Sequence, residues 1–269
     1  MTPTASTNSF CAVLLMALLA HSVHAEQSDV PHWTYADEGG PGVWATLSPE
    51  YAECMRGKRQ SPIDLPVVAG PELPVDAPAA LAAFHHEHVL EVRNDGHTIE
   101  VEYDDGDDLV LDDKTYRLVQ YHFHAPSEHT VAGQHFPLEL HLVHRAADGE
   151  LAVIGVLLEQ GQHNPVYDPV LGHIPAAAGV SVRVEHVSID VDELLPASRN
   201  AFGYLGSLTT PPCSEGVHWL VLRAPVALDA AQIGSLAGVL HGNSRPVQPL
   251  HGRLIEATTV EDAPTVAAH

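Results

Sequence analysis

Three histidines on two strand-like segments constrain this chain more than any other feature. Residues 120–129 read QYHFHAPSEH, and residues 138–144 read LELHLVH. Alternate side chains of a β-strand share a face, so His122 and His124 point the same way. His141 can join them only from a strand that pairs with the first. The pattern therefore predicts a sheet in which these two segments pair.

Three neutral imidazoles are the protein ligands of a catalytic zinc site, because they leave a tetrahedral Zn²⁺ one position for water. A His-x-His pair alone is weak evidence in a chain with 20 histidines among 269 residues, and solvated strand histidines or another metal-binding β-fold would also produce it. Gln120 and Glu139 each lie two residues before a histidine, on the same strand face. Metal-bound imidazoles usually hydrogen-bond such groups through their other nitrogen. The spacing indicates one Zn²⁺ per chain.

The rest of the chain is rich in short alternating or apolar segments bounded by turn residues, which predicts a predominantly β domain built around one sheet. Asn94-Asp95-Gly96 predicts a hairpin turn. Short helices are expected around residues 230–238, with Asp229 as N-cap, and around residues 192–195. Residues 258–269 are expected to form a loose tail. The candidate strands are residues 90–93, 98–103, 109–111, 118–124, 139–144, 151–158 and 219–222.

The start of the chain resembles an export signal. Residues 11–20 form an apolar run that is too short to span a bilayer but suits a signal-peptide core, although no Lys or Arg precedes it. Val23-His24-Ala25 supplies a small-residue cleavage site. We therefore expect a signal peptide at residues 1–25 and a single domain at residues 26–269, in a protein that is exported to the periplasm or secreted.

The charge balance narrows the partners. The chain has 12 basic and 35 acidic residues, for a formal net charge of −23. Such a charge argues against nucleic acid and against anionic membranes. The expected partner, a small-molecule substrate, comes instead from the family resemblance described below.

Two cysteines remain after Cys11 leaves with the signal peptide. In an exported protein, Cys54 and Cys213 most simply form one disulfide, with two buried free thiols as the alternative. Such a bridge would contribute roughly 2–4 kcal/mol. It would also tether the loop that contains Thr209 and Thr210.

Residues 120–129 and 138–144 closely resemble the signature of the α-class carbonic anhydrases. The resemblance, to exported bacterial members, implies a large, twisted, mostly antiparallel central sheet with peripheral short helices and loops. It also implies reversible hydration of carbon dioxide to bicarbonate and a proton by zinc-bound hydroxide. Further segments that resemble landmarks of this family, in family order, are residues 31–35, 59–64, 206–215 and 243–250.

The same resemblance assigns roles around the metal. A backbone carbonyl near Asn243 would support His124. Thr209 would accept a hydrogen bond from the nucleophile and donate its own to Glu128, and Thr210 would line the bicarbonate position. Taken alone, the two threonines would read as an ordinary turn.

An apolar pocket for carbon dioxide is implied beside the metal. The residues that match it are Val143, Val217, Trp219 and Leu208. Packing in an ordinary core would explain the same four side chains.

A proton must also leave the site, and His97 resembles the shuttle histidine of the family, with an exposed turn histidine as the alternative. An unperturbed pKa of about 6.5 suits exchange near neutrality. Tyr35, Asn94 and Asp95 would order the connecting waters. Glu100 stands where relatives often carry a neutral amide, so it and Asp95 could raise the pKa of His97 or of the zinc water.

Two further histidines are excluded as ligands, and three functions stay open. His129 resembles a buried structural histidine, and His144 has the wrong strand parity to join His141.

Besides a carbonic anhydrase, the residues allow a zinc-dependent esterase or hydrolase, or a catalytically silent binding module of the same family. Several bacterial relatives pair, so a homodimer is compatible with the resemblance.

Overall fold

Strands are the main secondary structure of the described residues, and only one helix among them is longer than a single turn. Our computed structural model describes residues 32–67, 79–82, 90–102, 108–187 and 189–262, with the backbone alone for residues 79–82 and 261–262. These residues belong to one compact unit, Pro31–His269. The expected signal peptide lies outside the described residues.

The secondary structure elements follow one another along the chain with short connections. The strands are β1 (Asp64–Leu65), β2 (Ala79–Ala82), β3 (Leu90–Asn94), β4 (Ile99–Glu102), β5 (Asp108–Leu111), β6 (Lys114–His124), β7 (Thr130–Val131), β8 (Gln134–His135), β9 (Leu138–Ala146), β10 (Leu151–Gln160), β11 (Val180–Val184), β12 (Asn200–Ser207), β13 (Glu215–Leu228) and β14 (Glu256–Asp262). The α-helices are α1 (Trp44–Leu47), α2 (Glu53–Arg56), α3 (Asp168–Leu171) and α4 (Ala230–Leu240). The 3₁₀ helices are Asp37–Gly39, Pro49–Tyr51, Pro165–Tyr167 and Val191–Leu194.

Among the described residues, eleven strands form one large sheet in the order β11-β3-β4-β6-β5-β2-β14-β12-β13-β10-β9, and β6 pairs with β9 as well. Within it, β10 with β13 and β14 with β2 run parallel, and the other pairs are antiparallel. The prediction of a large, mostly antiparallel sheet is therefore confirmed. A second, small sheet has the order β1-β7-β8.

The predicted hairpin joins β3 to β4, which pair antiparallel with Asn94 opposite Ile99. Gly96 has a φ of +92°, a conformation that side chains with a Cβ rarely adopt. The carboxylate of Asp95 accepts hydrogen bonds from the backbone N–H groups of His97 and Thr98, both at 2.7 Å. This turn fixes where His97 leaves the sheet.

Successive side chains of β9 point alternately into the main hydrophobic core and to the opposite face of the sheet. Leu138, Leu140 and Leu142 belong to the main hydrophobic core, whereas Val143 belongs to a second apolar cluster. His144 has the parity of the leucines, is fully buried, and hydrogen-bonds the Leu142 carbonyl at 3.0 Å. The second cluster therefore lies on the sheet face that carries Glu139 and His141.

The predicted helix after Asp229 forms as α4. The Asp229 carboxylate accepts a hydrogen bond from the backbone N–H of Gln232, and the side-chain oxygen of Gln232 accepts one from the backbone N–H of Asp229. Together these two bonds form a capping box. Leu236 and Leu240 pack into the main core. The other expected helix, around residues 192–195, is the 3₁₀ helix Val191–Leu194.

The expected loose tail is wrong for residues 258–262, which belong to β14. This strand pairs with β12, where Thr258 lies opposite Ala201, and with β2. Val260 is 1% exposed in the main core. The sequence of this segment has little apolar alternation and so does not predict a strand. Its extended conformation comes from hydrogen bonding to β12. Residues 263–269 lie outside the described part of the chain.

The predicted disulfide between Cys54 and Cys213 is confirmed, with Cα atoms 5.0 Å apart. The bridge links α2 to the loop that follows β12. Among the described residues, no helix is long and apolar enough to cross a bilayer.

A surface histidine joins the loop after β10 to α4, and its protonation should stabilise the fold. His163 Nδ1 lies 3.0 Å from Asp229 Oδ2, and Nε2 lies 3.0 Å from Asp168 Oδ2. Both nitrogens can donate only in the imidazolium form. The hydrogen bonds to Asp229 and Asp168 raise the pKa of His163. The stabilisation is therefore fully present below the unfolded pKa of about 6.5 and is lost as the pH rises through the folded value.

We expect His163→Gln to lower Tm by about 1–3 °C at about pH 6 and to leave it unchanged at about pH 9. Thermal unfolding followed by circular dichroism at the two pH values measures this. His173→Gln is the matched control, because His173 bonds the Pro169 carbonyl and no carboxylate in the described ranges. An equal effect of His163→Gln at both pH values would contradict the ionic contribution.

Candidate metal centre

Strand pairing brings the three predicted histidines together. In the β6–β9 register, His122 lies directly opposite His141, and His124 follows two residues later on the same face. The ring centroids are 5.0 Å apart for His122 and His124, 5.2 Å for His122 and His141, and 4.5 Å for His124 and His141. His124 and His141 are 1% exposed.

Each of the three imidazoles uses one nitrogen in a hydrogen bond that fixes its orientation. The other three nitrogens are His122 Nε2, His124 Nε2 and His141 Nδ1, and the three side chains offer ligand atoms within 4.8 Å of one another. The hydrogen-bonded pairs are His122 Nδ1 with Gln120 Oε1 (2.7 Å), His124 Nδ1 with the Asn243 carbonyl (2.8 Å) and His141 Nε2 with Glu139 Oε1 (2.9 Å).

The donor set fits a cation with nitrogen ligands. His124 Nε2 and Glu128 Oε2 are buried and have no hydrogen-bond partner in the part of the chain that the structure describes. A buried polar atom without a partner is costly, so these atoms point to a group that would satisfy them. Burial lowers the pKa of His122 and of His124, which keeps both rings neutral and able to ligate near neutrality. Burial would lower the pKa of His141, but Glu139 and Glu128 raise it above its usual value. A set of three imidazoles matches the ligands of catalytic Zn²⁺.

Glu139 accepts four hydrogen bonds from the residues around the three histidines. Its Oε2 accepts the backbone N–H groups of Glu128 and His129, both at 2.8 Å, and its Oε1 accepts from the rings of His129 and His141. Burial would raise the pKa of Glu139, but His129 and His141 hold it well below its usual range. His129, Glu139 and His141 also lie close enough to hold a metal, yet these hydrogen bonds already occupy their facing atoms.

Glu128 is fully buried beside the three histidines. Its Oε2 lies 3.6 Å from His124 Nε2 and 4.0 Å from His141 Nδ1, and its Oε1 accepts the backbone N–H of Arg245 at 2.9 Å. Thr209 is 5% exposed. No hydrogen bond joins Thr209 to Glu128 among the contacts of the described residues, so that bond stays a prediction.

The loop that carries Thr209 is anchored at both ends. The Thr210 carbonyl accepts the backbone N–H of Cys213 at 2.8 Å, and the disulfide holds Cys213. The Gln60 side chain donates to the Cys213 carbonyl at 3.1 Å. Thr210 itself is half-buried.

Sequence reasoning missed Arg245, which ties several of these segments together. Its side chain is 2% exposed and donates to the carbonyls of Ser61 at 2.7 Å and Cys54 at 2.9 Å. Its backbone N–H holds Glu128. The only sequence signal was an arginine inside the 243–250 segment, and an arginine is ordinarily expected on the surface.

The four residues expected to form an apolar pocket belong to one cluster. Val143 is 9% exposed, Val217 and Trp219 are each 3% exposed, and Leu208 packs against them. Val153, which sequence reasoning missed, lies opposite Val143 in the β9–β10 register and is in the same cluster. Trp219 is oriented by a 3.0 Å bond from its indole N–H to the Ser207 carbonyl.

His97 is half-buried on the β3–β4 turn and stacks on Trp33, with ring centroids 3.9 Å apart and planes 12° from parallel. Burial lowers the pKa of His97, and the opposing charge of Asp95 does not overcome it. Asp95 acts in the direction that the sequence allowed, but burial has the larger effect on the pKa of His97. The ring is neutral at pH 7 and able to accept a proton.

The other residues expected on the proton path divide into two groups. Tyr35 and Glu100 lie near the site: burial and the charges of Glu128 and Asp95 raise the pKa of Tyr35, and Glu100 lies opposite His122 in the β4–β6 register. Burial and Asp95 also raise the pKa of Glu100. Asn94, in contrast, is 7% exposed and bonds the Pro175 carbonyl and the Gly96 N–H, so its amide shapes the turn.

Most of the chain is similar to known proteins in sequence and in structure. Residues 39–259 match the family described as eukaryotic-type carbonic anhydrase. The carbonic anhydrase of Pectobacterium atrosepticum is 41% identical over 239 residues, which cover 88% of this chain and 96% of that protein. The carbonic anhydrase of a Nostoc species is 39% identical over 224 residues, covering 83% and 85%. The α-carbonic anhydrase of Thermovibrio ammonificans, solved with the inhibitor sulfanilamide, superposes with a TM-score of 0.78 at 40% identity, covering 84% of this chain and 98% of that one.

Proposed function

This chain belongs to the eukaryotic-type, or α-, carbonic anhydrase family, a zinc-dependent family of lyases, and we propose that it hydrates carbon dioxide reversibly at a Zn²⁺ site formed by His122, His124 and His141. One observation carries the proposal: three imidazoles, two of them buried, each have one nitrogen fixed by a hydrogen bond and one left for a ligand. When bound, a single Zn²⁺ would act as a Lewis acid and lower the pKa of a coordinated water to about 7.

The chain itself supplies orientation. Gln120, the Asn243 carbonyl and Glu139 hold the imidazoles in the tautomers that ligation needs. Glu128 Oε2 has no donor among the described residues, so it is free to accept the hydroxyl proton of Thr209. Thr209 Oγ would then accept a hydrogen bond from the nucleophile and aim its lone pair at carbon. Thr210 would line the place of the bicarbonate product.

The apolar cluster supplies the substrate pocket. Carbon dioxide has no charge and weak hydrogen-bonding capacity, so an apolar wall is the surface that favours it over water. Val143, Val217, Trp219 and Leu208 form that wall, with Val153 behind it.

The proton leaves through His97 in this proposal. Its ring is neutral at pH 7 because burial lowers its pKa, and its position on a half-exposed turn lets it pass the proton to buffer. Tyr35, Asp95 and Glu100 surround the path by which waters would connect His97 to the site. Asn94 acts by holding the turn.

His97→Ala should lower kcat by about tenfold or more in dilute, bulky buffer while kcat/KM stays nearly constant. The reason is that His97 contacts neither the metal ligands nor the apolar wall, so only proton export is lost. Stopped-flow measurement of carbon dioxide hydration separates the two parameters. Added imidazole should restore much of kcat, because it carries the proton through solvent.

Two results would count against this role. An equal fall in kcat and kcat/KM would place His97 in the chemical step or in folding. An unchanged kcat at the lowest usable buffer concentration would mean that Glu100, Asp95 or the buffer already carries the proton.

Export completes the proposal. The disulfide supports an oxidising compartment, because such bonds persist outside the cytosol. A signal peptide at residues 1–25 would direct the chain there and leave a single catalytic domain at residues 26–269. Pairing of two chains rests on the resemblance alone, and sedimentation of the mature protein tests it.

Two assays on one zinc-loaded sample test the function. Carbon dioxide hydration, with or without ester cleavage, is the expected result. Ester cleavage alone would instead make the protein a hydrolase. The absence of both activities at full zinc occupancy would make it a binding module.

A further inference from the structure

Arg223 differs from the other cations of this acidic chain. Most Lys and Arg side chains donate to carboxylates or backbone carbonyls, and Arg56, Lys58 and Arg145, which lack such partners among the described residues, are exposed to solvent. Arg223 is partly buried, yet within the described ranges no carboxylate or carbonyl lies within hydrogen-bond distance of its guanidinium. With 35 acidic residues to 12 basic ones, a partly buried arginine that has no carboxylate or carbonyl partner among the described residues stands out.

The backbone places Arg223 in a pocket. The β10–β13 pairing shifts register between Val156 opposite Leu222 and Leu158 opposite Val226, so residues 223–225 leave the ladder. Pro225 lies in this bulge and has no N–H to donate. The bulge turns Arg223 toward a cavity of about 330 Å³.

The pocket combines one cation with an apolar wall. The Arg223 guanidinium carbon lies 5.6 Å from the centre of the Phe202 ring, and the Ser198 hydroxyl and Asn200 amide complete the polar side. Ser198 Oγ accepts from Asn200, which leaves its own O–H to donate. The apolar lining residues are Pro66, Val67, Val131, Leu157 and Phe202.

We infer that this pocket binds a small organic carboxylate whose apolar body, aromatic or branched aliphatic, packs on the exposed side chains of Pro66 and Val67. A guanidinium presents two parallel N–H groups that match a carboxylate in a bidentate pair, and the described residues give Arg223 no such partner. The cavity volume is that of a small-molecule site. None of its lining residues belongs to the metal centre or its substrate wall, so the inference stands apart from the proposed function.

Benzoate and its uncharged analogue benzamide test the inference by isothermal titration calorimetry on the zinc-loaded protein. Benzoate should bind one site per chain and benzamide much more weakly. Arg223→Gln should weaken benzoate binding roughly ten- to hundredfold, the effect of losing a charged hydrogen-bonded pair. Arg145→Gln, which removes an equal charge from an exposed arginine on β9, should bind benzoate as the unaltered protein does.

Several outcomes would overturn the site. Equal benzoate affinity in Arg223→Gln would place the carboxylate elsewhere, and inhibition of hydration by benzoate would then point to the metal centre. An equal loss of benzoate affinity in Arg145→Gln would mean that benzoate responds to the net charge of the protein and not to Arg223. No binding to the unaltered protein would mean that Arg223 is satisfied from within the chain. Arg223→Gln should keep its Tm and its carbon dioxide hydration, so failure here leaves the proposed function untouched.

Discussion

Replacing His141 by alanine is expected to remove most of the bound zinc and to lower carbon dioxide hydration by more than a hundredfold. Loss of a hydrogen-bond partner behind a metal ligand already costs roughly 10–100-fold in affinity or activity, and loss of the ligand itself should cost more. His141 Nδ1 is one of three nitrogens left for the ion, and no other imidazole can replace it: His129, the nearest alternative, is bonded to Glu139 and Tyr204.

Metal content measured by atomic absorption after dialysis, together with stopped-flow hydration, checks this expectation. Full zinc occupancy and unaltered turnover in His141→Ala would refute the site. The matched control is His144→Ala, which removes a buried imidazole from the same strand but on the opposite face. That variant should lose stability, because a cavity opens in the core, and should still bind one zinc per chain.

Strand parity explains why the grouping of the three histidines could be predicted from sequence. His122 and His124 share a face by the two-residue period alone, and the same rule excluded His144. The partner strand of His141 then follows from the need to bring the three imidazoles together. Register, however, came from packing: Leu138, Leu140 and Leu142 fill the main core and so turn His141 toward the site.

Contacts between segments that are distant in the chain could not be predicted from the sequence. Arg245 holds Glu128 through a backbone N–H, 117 residues away in the chain, and no local pattern encodes such a bond. The family resemblance led to Asn243 and Thr209 but gave no warning of Arg245 or Val153. In the same way, Thr258 belongs to a strand only because Ala201 offers it a partner.

Charge effects near His97 show a second limit. The sequence places Asp95 and Glu100 close to the shuttle candidate, and neighbouring carboxylates ordinarily raise the pKa of an imidazole. The structure stacks His97 on Trp33 and half buries it, so desolvation outweighs the Asp95 charge. Burial depends on the segment around Trp33, 64 residues earlier, and so could not be read from the turn itself.

Thr209→Ala is expected to keep zinc bound and to lower carbon dioxide hydration by about 10²-fold. The variant leaves all three imidazoles and their supporting hydrogen bonds in place, so the ion should stay. What it removes is the hydroxyl that would link the nucleophile to Glu128, and the loss of one such orienting hydrogen bond costs on the order of 10²-fold. The loop should keep its place, because the disulfide and the Thr210–Cys213 turn anchor it.

Thr209→Ser is the conservative control, since it keeps a hydroxyl at the same position. It should retain most of the activity, whereas a role in packing alone would make serine and alanine nearly equal. Glu128→Gln offers a second reading of the same link, because an amide can turn its NH₂ toward Thr209 and reverse the direction of the hydrogen bond. An unaltered rate in zinc-replete Thr209→Ala would remove Thr209 from the mechanism, and Glu128 would then be left as a carboxylate that acts on the histidines alone.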